Sequence, residues 1–309
     1  MLSFIVIGKN EGWRLEKCLQ SIRSVVQQDG IDEWELIYVD SRSTDNSVRC
    51  ALEAGAQVFS IIGKCNAAIA RNIGAAEAKG EVLFFIDGDM EILSGFLPHV
   101  LKGGQLEYPF LSGIFNDVEY NADWQYVRTT RRHKLQEGDS DLVEATTGGL
   151  FLISHELWNR VSGMDTRFRR SQDYDLGLRL SRLGFPLHRK SIVLANHYMQ
   201  QYTLRPDYLT NAKYTALLLR KHWRNPEYLN VFVRQQYTIL LLVLCLLLAW
   251  VSPLVLCAYP MAAFYKAYRQ HLDWKHFWQP IARDGVVLYA FFFFHPAAIS
   301  LRYTRVETM

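Results

Sequence analysis

The chain has 309 residues, of which 50% are apolar and 21% carry a formal charge, so it can build one or two domains with a real core and is neither disordered nor a stapled miniprotein. A balance of 34 Lys plus Arg against 31 Asp plus Glu leaves +3, which gives no charge signature of a nucleic-acid binder, and none is expected as a partner. Its five Cys, odd in number and without a C-x-x-C pair, fit neither a disulfide framework nor a zinc ribbon and suit a reducing compartment.

Residues 2–7 form a compact apolar run ending at Gly8, which predicts a buried strand. The polar Lys9, Asn10 and Glu11 follow too soon for a signal peptide. Leu15, Cys18, Leu19, Ile22, Val25 and Val26 recur at helical spacing. Residues 36–39 predict a second strand ending at Asp40, and residues 44–54 a helix with Ser43 or Thr44 as N-cap. A strand over 58–62, an Ala-rich helix over 66–78 and a strand over 82–86 that stops at Asp87 complete the pattern. Strands this apolar, alternating with helices, predict a mostly parallel sheet covered on both faces. In such sheets ligands bind beyond the carboxyl ends of the strands, which gathers Lys9, Asn10, Glu11, Asp40 and the Asp87 segment on one rim.

From 102 to 147 the periodicity is poor and predicts irregular strands and loops. Within it, Arg128, Arg131, Arg132 and Lys134 make a basic stretch, read either as a solvated loop or as a meeting point for lipid phosphates or a pyrophosphate-linked acceptor. A short strand is predicted at 150–153, a helix from Ser154, and a helix over 173–183. Residues 202–223 read as amphipathic or interfacial, and Asn225-Pro226 marks the boundary between domains at 1–225 and 226–309.

The second part is dominated by apolar sequence. Residues 235–265 are 31 consecutive positions without Asp, Glu, Lys or Arg, long enough to cross a bilayer, with Pro253 and Pro260 expected to kink or end the helix. A second uncharged stretch, 285–301, is a further crossing or a segment that enters and turns back; a buried core hairpin is the alternative. Arg220, Lys221, Arg224 and Arg234 precede the first stretch, and the positive-inside rule then places the N-terminal part in the cytoplasm of a membrane-anchored protein. Membrane lipids are expected partners.

Asp-x-Asp occurs three times, at 87/89, 139/141 and 173/175, and only context separates them. Asp139 and Asp141 lie in a polar loop and predict a solvated turn. Asp87-Gly88-Asp89 directly follows an apolar strand. Two carboxylates there, with Gly88 letting the backbone approach a ligand, suit Mg²⁺ or Mn²⁺, and such a cation reaches its partner through the phosphates of a nucleotide diphosphate. The alternative is a strand end capped by two acids.

The segments Ile5-Val6-Ile7-Gly8-Lys9-Asn10-Glu11, Val39-Asp40-Ser41-Arg42-Ser43-Thr44-Asp45, Ala70-Arg71-Asn72-Ile73-Gly74 and Phe85-Ile86-Asp87-Gly88-Asp89 resemble the family-2 glycosyltransferases of the GT-A fold. Thr147-Gly148-Gly149-Leu150-Phe151 and Gln172-Asp173-Tyr174-Asp175-Leu176 match that family's acceptor-side segments in order and spacing. The resemblance implies an α/β GT-A fold, Rossmann-like with a mostly parallel sheet flanked by helices, a nucleotide-diphosphate sugar donor and a divalent cation. It implies that Lys9, Asn10, Glu11 and Asp40 hold the base and ribose, although Ser41 stands where many relatives carry a second Asp. Arg71 would face the nucleotide or its diphosphate, with an exposed helix charge as the alternative. Asp89 would bind the metal, Asp87 and Gly88 would lie near the ribose and metal-bound water, and His197 would be a metal or diphosphate ligand or else a structural His. Asp45 reads as a helix-start residue.

Asp173 is the expected catalytic base, deprotonating an acceptor hydroxyl for inversion at the anomeric carbon; relatives have Glu-Asp where this chain has Gln172-Asp173. A capping role for Asp173 is the alternative. The expected acceptor is a membrane lipid, a polyprenyl-diphosphate-linked saccharide in surface polysaccharide assembly. Transfer to polyprenyl phosphate itself, or a catalytically silent nucleotide-sugar-binding protein, stand as alternatives. A processive synthase is disfavoured, since no Gln-x-x-Arg-Trp follows the base: Gln200 and Gln201 lead into Tyr202, Thr203, Leu204 and Arg205.

Overall fold

The computed structural model describes residues 1–133, 135–146, 148–201, 208–270, 272 and 276–307; Lys134, Thr147 and residues 202–205, singled out above, lie outside the described residues. The chain divides into two compact units, residues 1–202 with 298–309, and residues 203–297. The boundary expected at 225 thus falls at 202, because the helix carrying Arg220 packs with the apolar helices that follow it.

The first unit opens with β1 (Leu2–Gly8), α1 (Trp13–Gln28), β2 (Trp34–Asp40), α2 (Ser47–Glu53), β3 (Gln57–Ile61), α3 (Ala67–Glu77) and β4 (Val82–Asp87). These four strands pair in parallel in the order β4-β1-β2-β3, because each strand is followed by a helix that returns the chain to its starting edge. Alternation across the strands then makes two cores. Phe4, Val6, Tyr38, Phe84 and Ile86 face α1, with its buried Leu15, Cys18, Leu19 and Ile22. Ile5, Ile7, Val39, Leu83 and Phe85 face α3, with Ala68, Ile69 and Ile73. Asn66, the N-cap of α3, accepts from the Ile69 amide. The N-cap expected at Ser43 or Thr44 is instead Asn46, without a side-chain bond.

The chain continues through β5 (Met90–Ile92), α4 (Leu97–Val100), the small hairpin β6 (Leu101–Lys102) and β7 (Gln105–Leu106), β8 (Phe110–Tyr120), β9 (Tyr126–Arg131), β10 (Leu142–Glu144), β11 (Phe151–Ser154), α5 (His155–Arg160), α6 (Gln172–Arg182) and β12 (Leu187–Gln200). Here the expectation of a mostly parallel sheet needs correction. The eleven-stranded sheet runs β10-β12-β8-β11-β4-β1-β2-β3-β13, with β5 on β12 and β9 on β8. Beyond β4, β8 and β12 are parallel, while β11 meets β4 and β8 antiparallel, as β5, β9 and β10 meet their neighbours. The long strand β8 was expected to be irregular; Gly113, Asn116 and Asp117 hid it, and Gly113 is there because a Cβ would meet Phe96 at 2.6 Å and Leu194 at 2.7 Å.

The second unit consists of α7 (Tyr208–His222), α8 (Pro226–Gln235), α9 (Tyr237–Leu248), a 3₁₀ turn (Pro253–Cys257), α10 (Ala258–Arg269) and α11 (Gln279–Phe293). Asn225 is the N-cap of α8 and Pro226 its first residue, so this dipeptide starts a helix inside a unit. No single described helix is long and apolar enough to cross a membrane; α8 and α9 together reach the length but are bent by 81°. Pro253 opens the 3₁₀ turn and Pro260 sits in the first turn of α10, so the uncharged stretch folds as short helices. The chain then returns: β13 (Tyr303–Val306) pairs antiparallel with β3, Tyr303 lies edge-on to Phe59, and its hydroxyl reaches Glu77 at 2.5 Å. Residues 303–306 are therefore part of the sheet and not, as expected for 226–309, of the apolar helices.

Candidate active site

The parallel register sets Gly8 beside Asp40 and Ile7 beside Asp87, so three neighbouring strands release the chain at one rim. After β1 the backbone turns through Asn10 and Gly12, both at φ 56°. Asn10 Oδ1 accepts from the Thr44 amide at 2.7 Å, and the Asn10 amide donates to Ser43 Oγ at 2.9 Å. Asp45 accepts from the Gly12 amide at 3.1 Å and the Ser47 amide at 3.0 Å, pinning this loop as well as starting α2. Asp40 is 2% exposed, and its carboxylate accepts from the Arg42 and Ser43 amides, both at 3.0 Å. It builds the rim rather than standing open on it. Lys9 is exposed.

Arg71, on α3, is not an exposed helix charge. It is 2% exposed, with Nη2 2.5 Å from Asp87 Oδ1 and 3.3 Å from the Gly149 carbonyl. Asp87 is thereby fixed. Burial pushes its carboxyl above the usual range, Arg71 pulls it back, and the charges of Asp89 and, more weakly, Asp173 push it up further. Gly149 must lack a side chain, since a Cβ would lie 1.8 Å from Asp87 Oδ2. Gly88 is similarly close-packed, its Cβ position lying 3.2 Å from the Ile7 carbonyl and 3.1 Å from Glu11 Cγ.

Asp89 Oδ1 is buried without a hydrogen-bond partner. Its Oδ2 lies 3.4 Å from His197 Nε2 and 3.6 Å from Arg14 Nη1. His197 is set by strand pairing: β12 places it opposite Asp117 of β8 and Met90 of β5. Nδ1 stands 2.8 Å from Asp117 Oδ1, and Arg132 holds Asp117 at 2.8 Å. Burial works to lower the imidazole pKa, but the hydrogen bonds with Asp117 and Asp89 and the Asp89 charge outweigh it and hold it up to about 9. Glu11 is pushed up to about 7, first by burial and then by the Asp89 charge, against the pull of Arg14, whose Nη2 is 2.6 Å away.

No three His, Cys, Asp or Glu side chains among the described residues form a closed metal site. Two donor groups do meet: the Asp89 carboxylate, whose Oδ2 faces the imidazole and whose Oδ1 has no hydrogen-bond partner, and His197, whose far nitrogen is anchored by a second carboxylate, the usual support of a metal-bound His. Such a half-site suits a hard cation completed by phosphate oxygens and water.

Asp173 lies in the first turn of α6 and is part-exposed. The cap is Ser171, at φ 62°, so Asp173 is not the N-cap. Thr146 Oγ1 reaches Asp173 Oδ2 at 3.5 Å, while three residues later Gly149 touches Asp87. A Cβ on Gly177 would be 1.8 Å from the Ala145 carbonyl, so α6 is seated hard against this same loop. One short segment therefore separates the strand-end carboxylates from Asp173. Asp175, two residues on, is fully buried and pairs with Arg179 at 2.9 Å; it is structural. Asp139 closes its turn through the Gln136 amide, and Asp141 pairs with Lys190 at 2.6 Å.

Several contributors carry no signal in the sequence. Asp117 and Arg132 orient His197. Arg189, 1% exposed, pairs with Glu144 at 2.5 Å, donates to Gly113 O at 2.7 Å and reaches Thr146 O at 3.3 Å, tying down the loop beside Asp173. Trp13 packs edge-on against Tyr120, Trp124 and Tyr198 at 5.4 to 5.9 Å, and Arg14 covers Trp124 at 5.0 Å. Two residues of the basic stretch are in ion pairs, Arg128 with Glu119 and Arg132 with Asp117.

Residues 3–150 match the family model described as Glycosyl transferase family 2. The match takes in just under half of the chain and marks it as a glycosyltransferase. The glycosyltransferase is 15% identical to S. aureus TarS 1-349, over 71% of this chain and 65% of that one, with a TM-score of 0.50. It is 20% identical to glucosyl-3-phosphoglycerate synthase from Mycobacterium tuberculosis in complex with phosphoglyceric acid, over 71% and 79% of the two chains, with a TM-score of 0.48. The same figures hold for that enzyme in complex with Mn²⁺, uridine-diphosphate and glucosyl-3-phosphoglycerate. At 15% identity the likeness to TarS is one of fold. A comparison with curated proteins finds no match.

Proposed function

We propose that the glycosyltransferase moves a sugar, with inversion, from a nucleotide-diphosphate donor to a hydroxyl of a membrane-associated acceptor, a polyprenyl-diphosphate-linked saccharide. The observation that carries the reaction is that Gly149 closes on Asp87 while Thr146, three residues earlier in the chain, touches Asp173. On this reading Lys9, Asn10, Glu11 and the Asp40 loop receive the nucleoside at the rim. Asp89 and His197 hold a divalent cation, which when bound offsets charge on the departing diphosphate. Arg71 keeps Asp87 fixed beneath the ribose. Asp173 accepts the acceptor hydroxyl proton as its oxygen bonds the anomeric carbon and the bond to the diphosphate oxygen breaks, releasing the nucleoside diphosphate. Arg189 acts by holding the loop that sets the distance between the two sides.

The membrane part of the reading is supported by the exposed apolar residues of the second unit, with Trp250 85% and Leu254 80% exposed, and by Arg220, Lys221, Arg224 and Arg234 beside them, which favour a cytoplasmic catalytic unit. The test is Asp173→Asn with a nucleotide-sugar panel, lipid extracts and water-soluble sugars. Turnover should fall about 10²–10⁴-fold with donor binding retained. Unchanged turnover overturns the base, and equal use of soluble sugars overturns the lipid acceptor. Product mass after mild acid hydrolysis separates a lipid-diphosphate acceptor from polyprenyl phosphate.

A further inference from the structure

Residues 203–297 begin and end on the same folded unit. They follow β12 and precede β13, two strands of one sheet. Since both flanks belong to one body, they lie on one side of any bilayer, and the number of complete crossings is even. The helices between them argue for none. At 1.5 Å per residue, the 12-residue α9 and α10 and the 15-residue α11 are roughly 18 to 23 Å long, short of a hydrocarbon core of about 30 Å. The bend of 81° prevents α8 and α9 from acting as one rod.

Within this unit α9 and α10 form a hairpin around Cys245, Tyr259 and Ala263. Its far end is apolar and uncovered: Leu247 is 65%, Val251 65% and Met261 71% exposed, and no charge occurs from 235 to 265. Its base is the reverse. A cavity of about 550 Å³ is lined there by Arg234, Lys266, Arg269 and Arg283, with Tyr237 and Tyr265. Lys266 is anchored by Gln235 O at 2.8 Å and Thr238 Oγ1 at 3.2 Å. Across 228–297 the sequence carries five Lys and Arg against two Asp. Apolar tip, aromatic collar and cationic base follow the order of acyl chains, interface and phosphates in one leaflet.

We propose that this hairpin is a one-leaflet anchor: it enters an anionic bilayer, turns back at the 3₁₀ turn, and seats lipid phosphates in the basic cavity at its base. The proposal rests on the membrane reading above and specifies its mode. Flotation of the full chain would be measured with vesicles of phosphatidylcholine alone and of phosphatidylcholine with phosphatidylglycerol at about three to one. Binding should need phosphatidylglycerol. It should drop at least about tenfold in Leu247→Glu/Leu254→Glu, and by a similar factor in Arg234→Gln/Arg269→Gln. All four positions are exposed, and an unchanged Tm shows that each variant folds.

Cys257, exposed in the 3₁₀ turn, reports depth. It should escape an impermeant maleimide enclosed in the lumen. Lumenal labelling means a crossing and overturns the proposal, as does flotation indifferent to both variants. A chain that floats on no vesicle overturns the anchor itself. One that floats as expected yet uses soluble acceptors equally leaves the anchor standing and removes only the lipid acceptor.

Discussion

Ala in place of Gly149 would put a methyl group 1.8 Å from Asp87 Oδ2, so either the loop or the carboxylate must move. Displacements of this size cost about 10²-fold in rate; kcat should fall by that order, with far-ultraviolet circular dichroism unchanged. Asp117→Asn is a subtler probe. It keeps the shape but loses the charge that fixes the His197 tautomer, and Mn²⁺ affinity in the presence of a nucleoside diphosphate should weaken about 10- to 100-fold by calorimetry. Asp87, Asp89 and Asp173 are legible in the sequence because each follows an apolar run or begins a helix. Asp117, Arg14 and Arg189 are not, since their value comes from strand pairing and from partners far along the chain. Asp40 and Arg71 were legible as important, but their hydrogen bonds make them builders of the rim and of Asp87.

His133 gives this scale a pH dependence. Burial, joined by the positive charge of Arg189, lowers its pKa to about 4, against 6.5 in the unfolded chain. Above pH 6.5 it is neutral in both states. As pH falls from 6.5 towards 4 the unfolded chain takes up the proton and the folded one does not, so stability is lost across that window. In urea titrations His133→Phe should lose less stability between pH 7 and 4.5 than the native chain.

Among the elements, those read best from sequence were the ones with a single period. The continuous apolar runs of β1, β2 and β4 and the 3.6-residue stripe of α1 lie within two residues of expectation. Strand β8 escaped because Gly113 and the polar Asn116 and Asp117 break its alternation, and each is there for a tertiary reason: close packing at Gly113, the His197 anchor at Asp117. The apolar tail misled in the opposite direction. Hydropathy measures how uncharged a segment is, not whether it stays straight, and the 31-residue stretch is interrupted at the end of α9 and again at the 3₁₀ turn.

For the whole molecule, the return of the chain to β3 matters most. Removing residues 298–309 strips β13 from the sheet and leaves Phe59 without Tyr303. A loss of about 2–3 kcal/mol is expected from the apolar area uncovered, read as a fall in Tm of roughly 5–10 °C. The freed edge of β3 should also raise light scattering on heating. The segment that matches the family model, residues 3–150, contains neither Asp173 nor His197, so on the proposed reading it lacks the base and one of the two metal-holding side chains.

The same pairing puts translation on a schedule. β3 leaves the ribosome about 240 residues ahead of β13, which at bacterial or eukaryotic elongation speeds is a wait of roughly 12 to 50 seconds. During that interval the greasy helices are already out of the exit tunnel while the catalytic sheet still shows a raw border. Whatever shields those helices from aggregation, a chaperone or a lipid surface, must do so before the enzyme can finish closing itself.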